Sequence, residues 1–354
     1  MSEAPSHGVS RVALIGFGLA GKAFHAPLIS TTPGLELSRV VTRQTELVHA
    51  EYPEAHACSL QDALNDDDID LVVVATPNDT HAEIAMKALE HGKHVVVDKP
   101  FALSLDEATL LARKAEGSGL MLAVFHNRRW DADFLTIRAL LEEGTLGELK
   151  QFESCFNKFR PAVDHGQWKE QPGPGSGNWM DLGAHLGDQA LQLFGRPDGI
   201  YADLGILREG GQATDYFHVV LRYNGFRVLL HGGVVACEPA PRFSLHGTTG
   251  SYTIYGMDPQ EAALRSGARP GFEGWGADPV PGTITRHANG HLVRETWPSL
   301  HGNYPAFYEG VRHALQHNGD APVSLSSALD TMRLLELGKQ SAEQRREVYF
   351  DSTI

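Results

Sequence analysis

Short apolar runs alternate with amphipathic stretches over the first third of the chain. Val12 to Ile15, Glu36 to Val41, Leu71 to Ala75, His94 to Val97 and Met121 to Val124 are of strand length and mostly rich in β-branched residues. Gly, Pro or polar residues bound each of them. Asp79 to His91 sets Ile84, Met86 and Leu89 at helical spacing. Ser104 to Glu116 does the same with Leu105, Ala108, Leu110, Leu111 and Ala115, opened by Ser104 and Glu107 in a capping-box pattern. A short extra strand at His56 and Ala57 makes six. Strands alternating with helices predict βαβ units, and so a doubly wound parallel sheet with helices on both faces.

The rhythm changes after Arg129. Asp133 to Glu142 predicts a helix, Leu149 to Phe159 a strand, and Gln171 to Gly177 a loop too rich in Pro and Gly for regular structure. Trp179 to Phe194 is helical again, stopped by Gly195 and Pro197. Between Ile200 and Tyr255 several strands alternate, with His218, Val220 and Arg222 on one face and Phe217, Val219 and Leu221 on the other. Turn signals at Asn224-Gly225 and Thr249-Gly250 make that sheet antiparallel. Leu325 to Arg345 is helical, residues 256–303 show no readable period, and there is no internal repeat. The boundary falls near residue 126, giving domains 1–126 and 127–354.

Composition narrows the class. The chain has 354 residues, 42% hydrophobic and 21% charged, enough for two domains each with its own core. No apolar run approaches the roughly 18 residues of a membrane span, and residues 1–6 lack the basic start and apolar stretch of a secretory signal. A net charge of −14 argues against a nucleic-acid partner, which requires a concentrated basic face. Three distant cysteines, Cys58, Cys155 and Cys237, suit a reducing compartment and form no metal-ligand spacing. The expectation is a cytoplasmic protein without membrane, nucleic-acid or metal partners.

The candidate chemistry begins at Gly16-Phe17-Gly18-Leu19-Ala20-Gly21, a GxGxxG that follows one predicted strand and opens a helix. In that setting Gly16 permits the tight turn, Gly18 lets the backbone approach a pyrophosphate, and Gly21 allows helix and strand to pack closely. NAD-selective sites carry an acid about 20 residues further on, at the end of the second strand. Thr42-Arg43 stands there instead. A guanidinium can hold a 2′-phosphate through paired charge-assisted bonds, so NADP (NADPH) is favoured, with NAD as the other choice. A solvated Arg43, with Glu46 turned back to the ribose, is the alternative.

At Lys99 the pattern becomes that of a family. Gly16 to Gly21, His25-Ala26-Pro27, Ala75-Thr76-Pro77-Asn78, His81, Asp98-Lys99-Pro100, Asn127-Arg128-Arg129-Trp130-Asp131 and Asp181-Leu182-Gly183-Ala184-His185 occur in this order. Together they resemble the glucose–fructose oxidoreductase/inositol dehydrogenase (Gfo/Idh/MocA) family, in particular its NADP-preferring scyllo-inositol dehydrogenase-like branch. The resemblance implies an α/β fold: an N-terminal Rossmann domain, then an α+β domain with a large, mostly antiparallel sheet that often makes homodimer or homotetramer contacts. It implies a nicotinamide cofactor, held by the glycine loop with Thr42, Arg43, Thr76, Pro77, Asn78, His81, Asp98, Lys99 and Asn127. The implied substrates are sugars, cyclitols or related polyols. Most members have Glu-Lys-Pro where this chain has Asp98-Lys99-Pro100, so the contact made by that carboxylate is open to rearrangement.

The same resemblance assigns Lys99, Asp181 and His185 as the catalytic set. Elementary chemistry agrees with that assignment. Oxidising an alcohol removes a hydroxyl proton as hydride leaves carbon, and a histidine titrates near working pH. Asp181 and His185, four apart on a predicted helix, share a face. Asp188, three residues beyond His185, is a second candidate for orienting it. Arg160, Trp168 and Tyr304, in loops, are expected to wall the substrate site with Lys99, Asp181 and His185, although loop packing also accounts for Trp168 and Tyr304. Two readings besides a dehydrogenase stay open: a dinucleotide-sensing regulator without turnover, and a redox-assisted lyase or glycosidase with tightly held NAD.

Overall fold

The computed structural model of the protein describes residues 8–350. Its first sheet contains six parallel strands, β1 (Ser10–Ile15), β2 (Leu35–Val41), β3 (His56–Cys58), β4 (Leu71–Val74), β5 (His94–Val97) and β6 (Leu122–Val124). They lie in the order β3-β2-β1-β4-β5-β6. The order reverses between β1 and β4, which opens a crevice at the carboxyl ends of those two strands. Val12, Leu14, Val72, Val73, Val95 and Val96 have no exposed surface, as a parallel sheet covered on both faces requires.

The helix Leu105–Ser118 is N-capped by Ser104, whose hydroxyl accepts the Glu107 N–H at 3.2 Å. The expected reciprocal half of the capping box is displaced by one residue, because the Glu107 carboxylate accepts from Leu103 N at 3.1 Å. A complete box stands instead at Ser59 and Asp62.

The second sheet has nine strands: β7 (Leu149–Cys155), β8 (Gly199–Gly205), β9 (Tyr216–Tyr223), β10 (Phe226–Gly233), β11 (Phe243–Gly247), β12 (Ser251–Ile254), β13 (Gly282–Ala288), β14 (His291–Trp297) and β15 (Val348–Tyr349). Their order is β14-β13-β12-β11-β7-β10-β9-β8-β15, antiparallel throughout except for the β7–β10 pair. One face, with Phe217, Val219, Leu221, Val228 and Leu230, is fully buried. Trp179 and Phe194 cover it, edge-on to Phe217 and Phe152. The α/β class and the mostly antiparallel second sheet are as the sequence predicts.

Two differences stand out. Residues 256–303, without a readable period, contain the helix Gln260–Arg265 and the β13–β14 hairpin. Strand β14 lies at the sheet edge and is exposed along most of its length, so it carries no apolar alternation to read. The chain also divides into two compact units that are not contiguous in sequence. The first runs through Asn127 and takes back Gln260–Trp275 and Asn303–Ala328; the second holds Arg128–Pro259, Gly276–Gly302 and the chain from Leu329 onward. The first crossing falls between Asn127 and Arg128, and two later segments return to the first unit. The reason is apolar: the helix Pro305–His317 buries Phe307, Tyr308 and Val311, and Phe307 and Tyr308 pack on Phe125.

Candidate active site

In the first unit the glycine loop closes β1. Gly16 has φ +99°, and a Cβ there would meet the Ala75 carbonyl oxygen at 2.7 Å, so the turn at the β1–β4 crevice admits glycine alone. A Cβ on Gly21 would lie 2.0 Å from Gly16 O, which is the close packing of helix on turn predicted for that position. Gly18 differs. No described atom lies within 4 Å of where its Cβ would sit, and its own carbonyl accepts Lys22 N at 2.9 Å as the helix begins. Space beside bare backbone at a helix start is what a pyrophosphate needs, so the loop fits a dinucleotide. Leu19 is exposed, whereas the Phe17 ring is buried edge-on to Tyr52; only the backbone of Phe17 is left to serve the loop.

Thr42 and Arg43 follow β2 directly, Arg43 with its side chain exposed. Gln44, which the sequence reading passed over, ties this strand end to the glycine loop by donating to Phe17 O at 2.9 Å. At the end of β4, Thr76 and Thr80 share a hydroxyl–hydroxyl bond of 2.7 Å. His81 is buried, with its ring nitrogens 2.9 Å from Pro100 O and 3.0 Å from Thr76 O. His81 therefore joins the β4 and β5 loops, a bracing role, and it leaves Thr76, exposed Pro77 and buried Asn78 to line the crevice rim. Asn127 is buried where the chain leaves β6.

Asp98 and Lys99 are half-buried at the end of β5. Asp98 Oδ1 accepts the Lys99 N–H at 2.8 Å, and its Oδ2 lies 4.0 Å from His25 Nε2. Tyr304, expected in an open loop, has no exposed surface; its N–H donates to Gln260 Oε1 at 2.7 Å just before the helix Pro305–His317. Its ring belongs to the core of the first unit, so the packing alternative holds there and the substrate-wall expectation is corrected.

In the second unit, Trp179–Phe194 is one helical run, but its first turn, Trp179–Gly183, is π-wound before the α-helix Ala184–Phe194. A Cβ on Gly183 would strike the Trp179 ring at 2.3 Å; the glycine makes room for that ring beneath the widened turn. Asp181 thus sits in a π turn and not one α-turn below His185 as the spacing predicts. Its Oδ1 pairs with Lys169 Nζ at 2.8 Å. His185 is buried at the start of the α-helix. Asp188, the second candidate partner for His185, binds Arg129 through both oxygens, at 2.9 and 2.6 Å, in a buried pair. Nearby, Asp133 is pushed up to about 7, first by burial and then by Asp131.

The loop before this helix is held by a residue the sequence reading missed. Buried Arg208 donates through Nη1 to the carbonyls of Arg160 at 3.2 Å and Ala162 at 3.0 Å and to Glu170 at 3.3 Å, while its Nε pairs with Asp215 at 2.9 Å. Nothing periodic links Arg208 to that loop, so no sequence signal existed. Pinned in this way, the loop leaves Arg160 and Trp168 exposed, with Lys169 Nζ 5.7 Å from the Trp168 ring centre. Exposed polar and aromatic groups beside Asp181 suit a hydroxylated ligand.

Known proteins bear on this geometry. Residues 10–126 match the oxidoreductase family's NAD-binding Rossmann fold, and residues 138–350 match its C-terminal alpha/beta domain. The chain is 50% identical to the uncharacterized oxidoreductase YdgJ of Escherichia coli, over 95% of this chain and 97% of that one. It is 36% identical to the NADP(+) scyllo-inositol 2-dehydrogenase IolW of Bacillus subtilis, over 96% of both chains. The solved structure of the Bacillus subtilis oxidoreductase yvaA superposes with a TM-score of 0.95 at 35% identity, covering 98% of this chain and 100% of that one. With both halves matched in order, the chain belongs to the Gfo/Idh/MocA oxidoreductase family, with an NAD(P)-binding Rossmann domain.

Proposed function

We propose that the protein is an NADP-preferring dehydrogenase or reductase that moves hydride between the nicotinamide and a hydroxyl or keto carbon of a cyclitol, sugar or related polyol. One observation carries the cofactor half of this reading. The glycine loop leaves open space at Gly18, and the β2 end beside it presents exposed Arg43 in place of a carboxylate. The relative named as an NADP(+) scyllo-inositol 2-dehydrogenase supports both the cofactor and the substrate class. A relative named for NAD(+), at 26% identity, makes the preference worth measuring.

The bound nicotinamide supplies the hydride acceptor or donor. The protein's part is proton management and orientation. His185 takes the hydroxyl proton in oxidation and returns it in reduction, and the Lys99 ammonium polarises the same oxygen. Asp181 orients His185 or a substrate hydroxyl, with Lys169 holding its carboxylate. Arg160 and Trp168 offer a donor and an aromatic wall, on a loop kept rigid by Arg208.

The test is fluorescence titration with NADPH and NADH, then a panel of cyclitols, polyols and ketoses followed by absorbance. Tight NADPH binding with turnover of a cyclitol or sugar is the expected result. Binding without turnover across the panel would turn the reading toward a regulator or an internally recycling lyase, and no binding of either nucleotide would overturn it.

A homodimer or homotetramer is part of the proposal. Tyr201 of β8 and Tyr349 of β15 lie exposed on the sheet face opposite its buried side, where a second copy would cover them. Sedimentation of the purified protein as a monomer at micromolar concentration would remove that element.

A further inference from the structure

Beneath the Asp98–Lys99 turn lies a buried polar pair that neither cofactor binding nor proton transfer uses. His25, in the helical turn after the glycine loop, has no exposed surface. Its Nδ1 is 2.6 Å from the hydroxyl of Tyr308, a residue fully buried on the helix Pro305–His317, which returns to the first unit from far along the chain. Its Nε2 is buried with no hydrogen-bond partner among the described residues and faces Asp98 Oδ2 at 4.0 Å. Phe125, 4.4 Å from the imidazole centre, closes an apolar side. Asp98, Tyr308 and His81 are the titratable groups that face the ring.

Burial pushes His25 down to about 4, against the pull of Asp98, and pushes Tyr308 well above 10. Both are neutral at pH 7, so one ring nitrogen carries a proton and the other does not. When the Tyr308 hydroxyl donates to Nδ1, the proton stands on Nε2 and points at the Asp98 carboxylate. The opposite tautomer would set a lone pair against that carboxylate. At 4.0 Å the His25–Asp98 contact is an electrostatic steer and not a hydrogen bond. Asp98 in turn accepts the Lys99 N–H at 2.8 Å, so whatever fixes its carboxylate fixes the backbone from which the Lys99 amine extends.

We propose that Tyr308 and His25 are positioning residues: Tyr308 sets the His25 tautomer, His25 orients Asp98, and Asp98 aims Lys99. The inference rests on Lys99 acting in the reaction. With the full-length protein, NADPH and the substrate found by the panel, Tyr308→Phe keeps the ring in its apolar setting and removes only the hydroxyl. The expected results are loss of the single His25 tautomer in imidazole ¹⁵N spectra, a kcat about fivefold lower, the worth of one hydrogen bond, and unchanged NADPH affinity. In a Lys99→Ala background the same change should cost nothing further, because a step acting through Lys99 is not additive with its loss, whereas a general structural defect would add. Asp98→Asn, which keeps the Lys99 N–H bond but not the charge, should disturb the same ¹⁵N signal and carries the test if Tyr308→Phe does not fold. Unchanged kcat in both variants, additive losses in the double variant, or a parallel fall in NADPH affinity for Tyr308→Phe would overturn the proposal. Full turnover by Lys99→Ala alone would instead sink the catalytic reading on which it stands.

Discussion

Among the described residues two turns are π-wound, Gly21–His25 after the glycine loop and Trp179–Gly183 before the His185 helix, and they arise in different ways. The first is dictated locally. Gly21 removes a Cβ that would lie 2.0 Å from the Gly16 carbonyl oxygen, within the same loop, and Gly16 takes φ +99°; only at Gly16 does a distant group, the Ala75 carbonyl, also exclude a Cβ. The second depends on distant packing. The Trp179 ring lies against nearby Gly183 and distant Gly338, and its indole N–H donates at 2.9 Å to Leu335 O, 156 positions away. The second carries Asp181, whereas the first carries His25 behind the glycine loop. Only the glycine turn could be read from its own stretch of chain.

The comparison can be tested in order of effect. Lys99→Ala and His185→Ala, one at each region, should each lower kcat by about 10²-fold or more, with NADPH still bound in a fluorescence titration. Unchanged turnover in either would remove that residue from the mechanism. Arg129→Ala leaves the Asp188 carboxylate buried without its guanidinium, and should cost about 3–5 kcal/mol in urea unfolding. No variant of the glycine loop that leaves the fold intact should approach that cost.

The two units should respond to pH with opposite signs. His25 titrates near 4 in the folded chain and near 6.5 unfolded, so its contribution is present above 6.5 and lost as pH falls through 4, worth about 3 kcal/mol in full. Asp133 titrates at about 7 folded against 3.8 unfolded, so its contribution is present below 3.8 and lost as pH rises through 7. Unfolding midpoints measured from pH 4 to 8 for His25→Asn and Asp133→Asn should each lose one of these slopes; identical profiles would refute the assignment.

Glycines at the two turns separate stability from binding. Gly183→Ala drives a methyl into the Trp179 ring and should destabilise by about 1–3 kcal/mol. Gly18→Ala meets no described atom, so it should leave the melting temperature in place and weaken NADPH binding alone. The smallest effect expected is for Arg43→Ala, an exposed side chain: about tenfold weaker NADPH with NADH little changed, the size of one charge-assisted contact. An equal loss for both nucleotides would mean that Arg43 does not read the 2′-phosphate.

Legibility followed the range of the interactions. The parallel sheet, the glycine loop and the strand-end Lys99 rest on contacts between neighbouring elements, and their patterns stood in the sequence. The Arg208 clamp on the 160–170 loop, the Gln44 tie and the Tyr308–His25 pair join residues with no common period. Tyr304 misled because a Gly-containing stretch reads as open loop, whereas its ring is wholly buried. The β13–β14 hairpin was hidden because an exposed edge strand needs no apolar alternation.

By itself the sequence determined the α/β class and the residue types available for nucleotide and proton chemistry. Periodicity and the backbone conformations that favour glycine act over a few residues and need no partner. Only the tertiary structure decided that Gln260–Trp275 and Asn303–Ala328 return to the first unit, that Asp181 meets Lys169, and that Tyr308 comes to rest against His25. Those outcomes depend on which buried surfaces find each other in the folded chain, and apolar burial is non-directional until packing selects the partner.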